Sequence, residues 1–263
     1  MTNTRFDPVT ALDKVAGAYR TFVSSFQKFK NPVIKEWIDR KIEEGTLLYK
    51  GPYIELARRY ADGDSFDNLI GAGILHPETS QYFTRDPEDR SSSPVRLYQH
   101  QSDAIRSIVS GKNTVVTSGT GSGKSFCFAI PVVSTCLEMQ DRGLRGIKAI
   151  LVYPMNALAN SQYDDLAARL DGSGLKVAIY TGDTPHTYNE ALITYRERTA
   201  RDAPYDSELI SREEIQRTPP DILITNYVML EYILTRFEDK ILFPPENLGI
   251  LKYLVLEIGR AHV

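Results

Sequence analysis

The sequence predicts an α/β protein, a parallel sheet with helices on both faces, preceded by a mainly helical N-terminal region. From about Val95 onward, apolar runs of strand length alternate with helical patterns, which is the signature of a parallel sheet with crossover helices. The runs themselves (VVTS, AILVY, ILIT, YLVL) are almost wholly apolar, as strands buried on both faces must be. Residues 1 to about 90 differ, because helical patterns at Pro32–Glu44 and Tyr53–Tyr60 occur there without a strand pattern.

Taken in order, residues 1–90 read as a helical accessory region. It ends in Arg85–Pro94 (RDPEDRSSSP), whose charges, serines and prolines read as a linker. The α/β domain then spans 91–257, with strands expected at Asn113–Ser118, Ile147–Tyr153, Lys176–Tyr180, Asp221–Thr225 and Lys252–Leu256. Within the polar stretch Tyr188–Ile215, Ser211 and Glu214 have the spacing of a capping box that opens a short helix. Arg196, Arg198 and Arg201 read as a solvated helix face.

A chain of 263 residues with 42% hydrophobic content can fill a sizeable core. No run of eighteen apolar residues occurs, and the start MTNTRFDPVT has neither a basic nor an apolar leader region, so no membrane partner and a cytoplasmic location are expected. Cys127 and Cys136 lie in one apolar helical stretch and read as core residues. A net charge of -3 leaves no basic footprint, so any nucleic-acid binding has to be argued from motifs.

The strongest motif is Ser118-Gly119-Thr120-Gly121-Ser122-Gly123-Lys124-Ser125, between the expected strand NTVVTS and a helix starting near Lys124. Glycines 119, 121 and 123 let the backbone curl its N–H groups around phosphate oxygens, and the helix N-terminus points its positive end at the same anion. Lys124 supplies charge for the β and γ phosphates of a nucleoside triphosphate, and the Ser125 hydroxyl is a ligand for Mg2+. The loop opens with Ser118 where the strict motif has glycine.

Around this loop, Arg96-Leu97-Tyr98-Gln99-His100-Gln101-Ser102-Asp103-Ala104-Ile105 resembles the adenine-reading glutamine motif of superfamily 2 DEAD/DEAH-box-type helicases. Gln101 is assigned to the adenine edge, with Gln99 as the alternative; Tyr98 reads as a core aromatic and His100 as incidental. Tyr153-Pro154-Met155-Asn156-Ala157-Leu158-Ala159-Asn160-Ser161-Gln162 resembles helicase motif Ia, with Met155 where threonine is usual. Thr181-Gly182-Asp183 resembles the family's T-G motif, and Thr225-Asn226-Tyr227 resembles motif Ib.

The resemblance covers about residues 95–257 and is nearest to large bacterial helicases of the RecQ-like and Lhr-like kinds. It implies a RecA-like P-loop NTPase sheet, ATP and Mg2+ as cofactors, and nucleic acid, DNA ahead of RNA, as partner. Pro154, Asn156, Gln162, Thr181, Gly182, Thr225 and Asn226 are then the strand contacts, and Lys124 is the catalytic cation. Two rival readings stay open. One is another phosphate-loop enzyme, a kinase or GTPase; the other is an ATP-binding regulator without helicase activity.

The fifth strand should lead into an Asp-Glu pair that holds the metal and positions the attacking water. It leads instead into Glu257-Ile258-Gly259-Arg260-Ala261-His262-Val263. Back-translated as GAG-ATC-GGA-AGA-GCA-CAC-GTC, these residues spell, from the second base, a sequencing-library adapter beginning AGATCGGAAGAGC. The expectation is therefore an N-terminal fragment interrupted at the Walker B motif, with residues 258–263 a non-native tail. A C-terminal RecA-like domain needed for activity is missing on this reading, and the chain as given binds ATP but scarcely turns it over.

Overall fold

The computed structural model describes residues 7–26, 29–44, 59–87, 89–119, 121–199, 201–236, 238–243 and 249–257. Two compact units divide the chain, Met1–Arg59 and Tyr60–Val263. In the first, α1 (Pro8–Phe26) buries no residue and carries Leu12, Val15, Tyr19, Phe22 and Phe26 exposed at helical spacing. Helix α2 (Pro32–Glu43) starts where the sequence predicts: Pro32 sits at its first position, and the Asn31 side chain accepts from the Val33 N–H at 2.9 Å. Apart from Arg59 and Tyr60, the Tyr53–Tyr60 pattern lies outside the described residues, as does the 258–263 tail.

In the second unit, α3 (Phe66–Gly71) and α4 (Thr79–Tyr82) precede α5 (Gln99–Val109) and α6 (Lys124–Asp141). Phe66, Leu69, Tyr82, Phe83 and Leu97 share one core with Ile105, Ile130 and Leu151, so the division falls before Tyr60 and not within 85–94. The 85–94 segment is a surface loop closed on that core. Val95 N–H donates to the Phe83 carbonyl at 2.8 Å, Arg85 N–H to Ser93 at 3.3 Å, and Arg169 stacks against Phe83 and Phe126 beside it. Its charged, serine- and proline-rich composition marks an exposed loop, a pattern that loops and domain linkers share.

The sheet is wholly parallel, in the order β3-β2-β4-β1-β5: β1 (Ala149–Tyr153), β2 (Val177–Tyr180), β3 (Glu208–Leu209), β4 (Ile222–Asn226) and β5 (Tyr253–Leu256). Alternate residues serve two cores. Ala149, Leu151, Tyr153, Val177, Ile222 and Ile224 face α6 and α7 (Asn156–Leu170). Ile150, Val152, Ala178, Tyr180 and Leu223 face the other layer, made of α9 (Arg212–Arg217), α10 (Tyr227–Thr235) and a 3₁₀ turn at Glu238–Leu242. Cys127 and Cys136 are both buried, and burial pushes the Cys127 thiol up to about 11. An ion pair between the fully buried Lys148 and Asp221 joins the starts of β1 and β4, and Asp221 also accepts from the Lys176 N–H at 2.7 Å ahead of β2. One carboxylate thus helps set the register of three strands.

Two expectations about strands need correction. Asn113–Ser118 is not a strand: it makes no ladder hydrogen bonds, and Val115 is 88% exposed. Apolar β-branched residues favour a strand only when a neighbour supplies hydrogen bonds and a covering layer, and this segment has neither among the described residues. Strand β3 was not foreseen, since two residues carry no readable alternation. At the opposite edge, β5 turns Tyr253 and Val255 to the core but leaves Leu254 57% and Leu256 61% exposed.

Candidate nucleotide and nucleic-acid site

The phosphate loop is shaped by its glycines. Gly121 (φ 77°) and Gly123 (φ 71°) occupy the left-handed region, and Gly123 is the N-cap of α6. A Cβ on Gly123 would meet Gln101 Nε2 at 2.5 Å, so this position excludes any side chain twice over. Lys124 folds back over the loop, donating to the carbonyls of Ser118 at 3.1 Å and Gly119 at 3.0 Å. Its charge therefore waits where an anion would lie. Ser122 is fully buried and shares a 2.6 Å hydrogen bond with the Ser118 hydroxyl. Ser125 is the second residue of α6, half-buried; Thr120 lies outside the described residues.

These features fit a triphosphate: a left-handed glycine turn, a lysine at the loop and an 18-residue helix starting at its end. For Mg2+ the chemistry on offer is the Ser125 hydroxyl together with the phosphate oxygens. Glu257 follows β5, its N–H donating to the Val152 carbonyl at 2.9 Å, and stands where the Asp-Glu pair was expected.

Helix α5 braces the loop from behind. Gln101 is buried; its Oε1 accepts from the Tyr98 N–H at 2.8 Å, and its Nε2 donates to the Gly123 carbonyl at 2.8 Å. Half of the amide's four hydrogen-bonding positions are thus occupied by the protein's own backbone. Gln99 points elsewhere, donating to Asp103 at 2.8 Å. His100, read from sequence as incidental, donates from Nε2 to the Ser122 carbonyl at 3.0 Å and packs with Tyr60 and Tyr98. Two consecutive residues of α5 therefore grip two consecutive carbonyls of the loop. The adjacency of His100 to Gln101 was the only sequence signal for this role.

The residues expected to contact a strand come from three loops at the carboxyl ends of β1, β2 and β4. Asn156 opens α7, donating from Nδ2 to Asp183 at 2.8 Å and accepting at Oδ1 from Asn226 Nδ2 at 2.9 Å. Asn226 in turn caps α10 by accepting the Met229 N–H at 2.8 Å. The structure thereby joins Asn156, Asp183 and Asn226 into one network on an exposed edge. Pro154 and Gly182 are exposed and Gln162 is half-buried on α7, so all three stay accessible.

The two threonines do not match their expected role. Thr225 is fully buried and donates its hydroxyl to the Tyr180 carbonyl at 2.7 Å, cross-linking β4 to β2. Thr181 is buried too, and its backbone is what the structure uses. The Thr181 N–H donates to Thr184 Oγ1 at 2.9 Å, while its carbonyl accepts from Arg212 at 2.9 Å. A threonine that continues an apolar strand lends its hydroxyl to the neighbouring strand before it meets solvent.

Arg212 is the residue that motif reading passed over. Its guanidinium donates to the carbonyls of Thr181 at 2.9 Å, Thr184 at 3.0 Å and Gly182 at 3.4 Å, and it lies over the Tyr180 ring at 5.1 Å. It reaches them because Ser211 and Glu214 form the predicted capping box, which starts α9 beside the loop. Arg198 pairs with Asp164 at 2.7 Å and Arg201 stacks on Tyr205, so neither is given over to a ligand. No helix of the described residues is long and apolar enough to cross a membrane.

Comparison with known proteins bears on this geometry. The Druantia protein DruE of Escherichia coli is 26% identical over 84% of this chain and 17% of its own length. The ATP-dependent helicase MJ1574 of Methanocaldococcus jannaschii is 28% identical over 63% of this chain and 21% of its own. The chain thus spans about a fifth of the length of these relatives. Among solved structures, the DUF1998 helicase MrfA bound to DNA superposes with a TM-score of 0.50 at 21% identity, covering 75% of this chain and 22% of that one, a likeness of fold. Residues 98–257 match the DEAD/DEAH box helicase family over a span that holds the phosphate loop, the glutamine helix and the loops after β1, β2 and β4, and the chain belongs to that family.

Proposed function

We propose that this chain is the first RecA-like domain of an ATP-dependent helicase or translocase that acts on nucleic acid, DNA ahead of RNA. Lys124 and Ser125 hold Mg2+-ATP, and the Asn156–Asp183–Asn226 edge holds one strand. The observation that carries this reading is the phosphate loop, with Lys124 poised over its own carbonyls at the start of α6. Family membership implies ATP use. Strand contact is supported by the three family loops converging at the carboxyl ends of a parallel sheet, where α/β proteins build their sites.

On this reading the remaining N–H and lone pair of the Gln101 amide recognise adenine, and ATP binds in preference to GTP. The first unit, Met1–Arg59, is an accessory region, and the protein works in the cytoplasm. The match covers only about a fifth of these relatives' length, which leaves room for a second RecA-like domain to close on the nucleotide, so strand separation belongs to the whole protein. The test is titration of a fluorescent ATP analogue with Mg2+ into the chain and its Lys124→Ala variant. Tight binding by the parent and a loss of about a hundredfold or more in the variant is the expected result. Equal binding by the two would reject the site.

A further inference from the structure

Beside the strand-facing loops lies an open cavity of about 650 Å³ whose walls include Tyr180, Arg212, Glu213, Gln216, Arg236 and Asp239. Arg212 joins it to the T-G loop, since the guanidinium that lines the cavity also donates to Thr181 and Thr184. The polar groups fall into two sets. Tyr180 donates to Asp239 at 2.5 Å, Gln216 donates to the Tyr180 hydroxyl at 3.4 Å, and Arg212 is committed to the loop; these form the wall. Glu213, Arg236 and His186, which also lines the cavity, make no side-chain hydrogen bond among the described residues. The Arg236 guanidinium carbon lies over the Tyr232 ring, 3.7 Å from its centroid, a contact that stiffens the side chain while its N–H donors stay uncommitted to protein acceptors among the described residues.

We propose that this cavity receives one unstacked base of the bound strand, and that it favours guanine. A backbone phosphate suits it poorly, because Glu213 and Asp239 would repel a second anion in the same space. A neutral base meets no such penalty, and a cavity lined by both a carboxylate and a guanidinium matches guanine best. Guanine alone among the four bases presents paired acceptors, N7 and O6, next to paired donors, N1–H and N2–H. The Arg236 fork addresses the first pair and the Glu213 carboxylate the second. A base tucked beside the T-G loop would mark one nucleotide in each step of the strand past Asn156 and Asn226.

The proposal rests on the nucleic-acid reading above, and the test separates the two. Fluorescence anisotropy with the full chain compares an oligothymidylate of about fifteen nucleotides with the same strand carrying one central guanine or one central hypoxanthine, which lacks the N2 amino group. A single guanine reaches the cavity by choice of register on an otherwise uniform strand. Guanine is expected to raise affinity about tenfold and hypoxanthine less. Arg236→Ala and Glu213→Gln should each erase the gain while all-thymidine affinity stays unchanged, which also shows that the variants are folded. Equal affinity of the parent for the three strands overturns the base pocket alone, as does a guanine preference that survives both substitutions. Failure to bind any strand overturns the pocket and the nucleic-acid reading together.

Discussion

The phosphate loop and the Asn156–Asp183–Asn226 edge are built in opposite ways. The loop's ligand-facing parts are consecutive residues, 118 to 125, and their roles follow from local backbone conformation: Gly121 and Gly123 at positive φ, then the first turn of α6. The edge takes one residue from each of three loops, and Asn156 and Asn226, 70 positions apart, meet only because β1 and β4 are neighbours in the sheet. A site made of consecutive residues tolerates little change within itself. A site made by convergence depends also on residues that hold its loops in place, such as Arg212 behind the T-G loop.

The largest expected effect breaks the local site. Gly123→Ala places a Cβ 2.5 Å from Gln101 Nε2 at a left-handed residue, so stability should fall by about 2 kcal/mol or more, with ATP-analogue binding lost. Gly121→Ala has the same sign of φ but open space around it, and should cost only about 1 kcal/mol. Urea midpoints for the two variants give the comparison directly. Equal losses would mean that the Gln101 contact carries no weight.

Gln101→Ala comes next. It leaves the Tyr98 N–H without its side-chain acceptor and removes one of two donors to the Gly123 carbonyl, which still accepts from the Phe126 N–H at 3.1 Å, so a loss of about 1 kcal/mol is expected in the same urea titration, together with weaker ATP binding. Strand affinity should be unchanged, because the brace reaches only the phosphate loop. A variant with full stability would remove Gln101 from the loop's support.

Asn226→Ala tests the convergent site. It removes the α10 cap and the bond to Asn156, costing about 1 kcal/mol and weakening single-strand binding severalfold with ATP affinity intact. Anisotropy with an oligonucleotide and the ATP-analogue titration should thus move in opposite patterns for Gln101→Ala and Asn226→Ala. Parallel losses in both assays would merge the two sites into one.

The smallest effect lies away from both. Glu208 is buried, and burial raises its carboxyl above the ordinary range against the opposing hydrogen bond from Tyr195 at 2.8 Å. A carboxyl whose folded pKa is raised binds its proton more tightly in the folded state. Its contribution is therefore present at low pH and lost as pH rises through the folded value. Stability measured across weakly acidic pH should decline slightly with rising pH, and Glu208→Gln should flatten that slope while leaving both ligand affinities unchanged. An unaltered slope in the variant would assign the pH dependence to another group.

Sequence alone determined the parts of this protein in which one residue type answers one local demand. The left-handed turns need Gly121 and Gly123, the capping box needs Ser211 and Glu214, and the apolar runs of β1, β2 and β4 need burial. Tertiary structure decided everything that required knowing a neighbour. It denied Asn113–Ser118 a strand, because a strand exists only through its partner's hydrogen bonds. It drew Phe66 to Leu97 into the main core across a segment whose composition looked like a linker. It also turned the Thr225 hydroxyl inward to Tyr180 and set His100, Gln101 and Arg212 to grip backbone carbonyls of loops far along the chain. A side chain that binds backbone leaves no trace in its partner's identity, since every residue carries the same carbonyl, and so the sequence pattern holds no record of the contact.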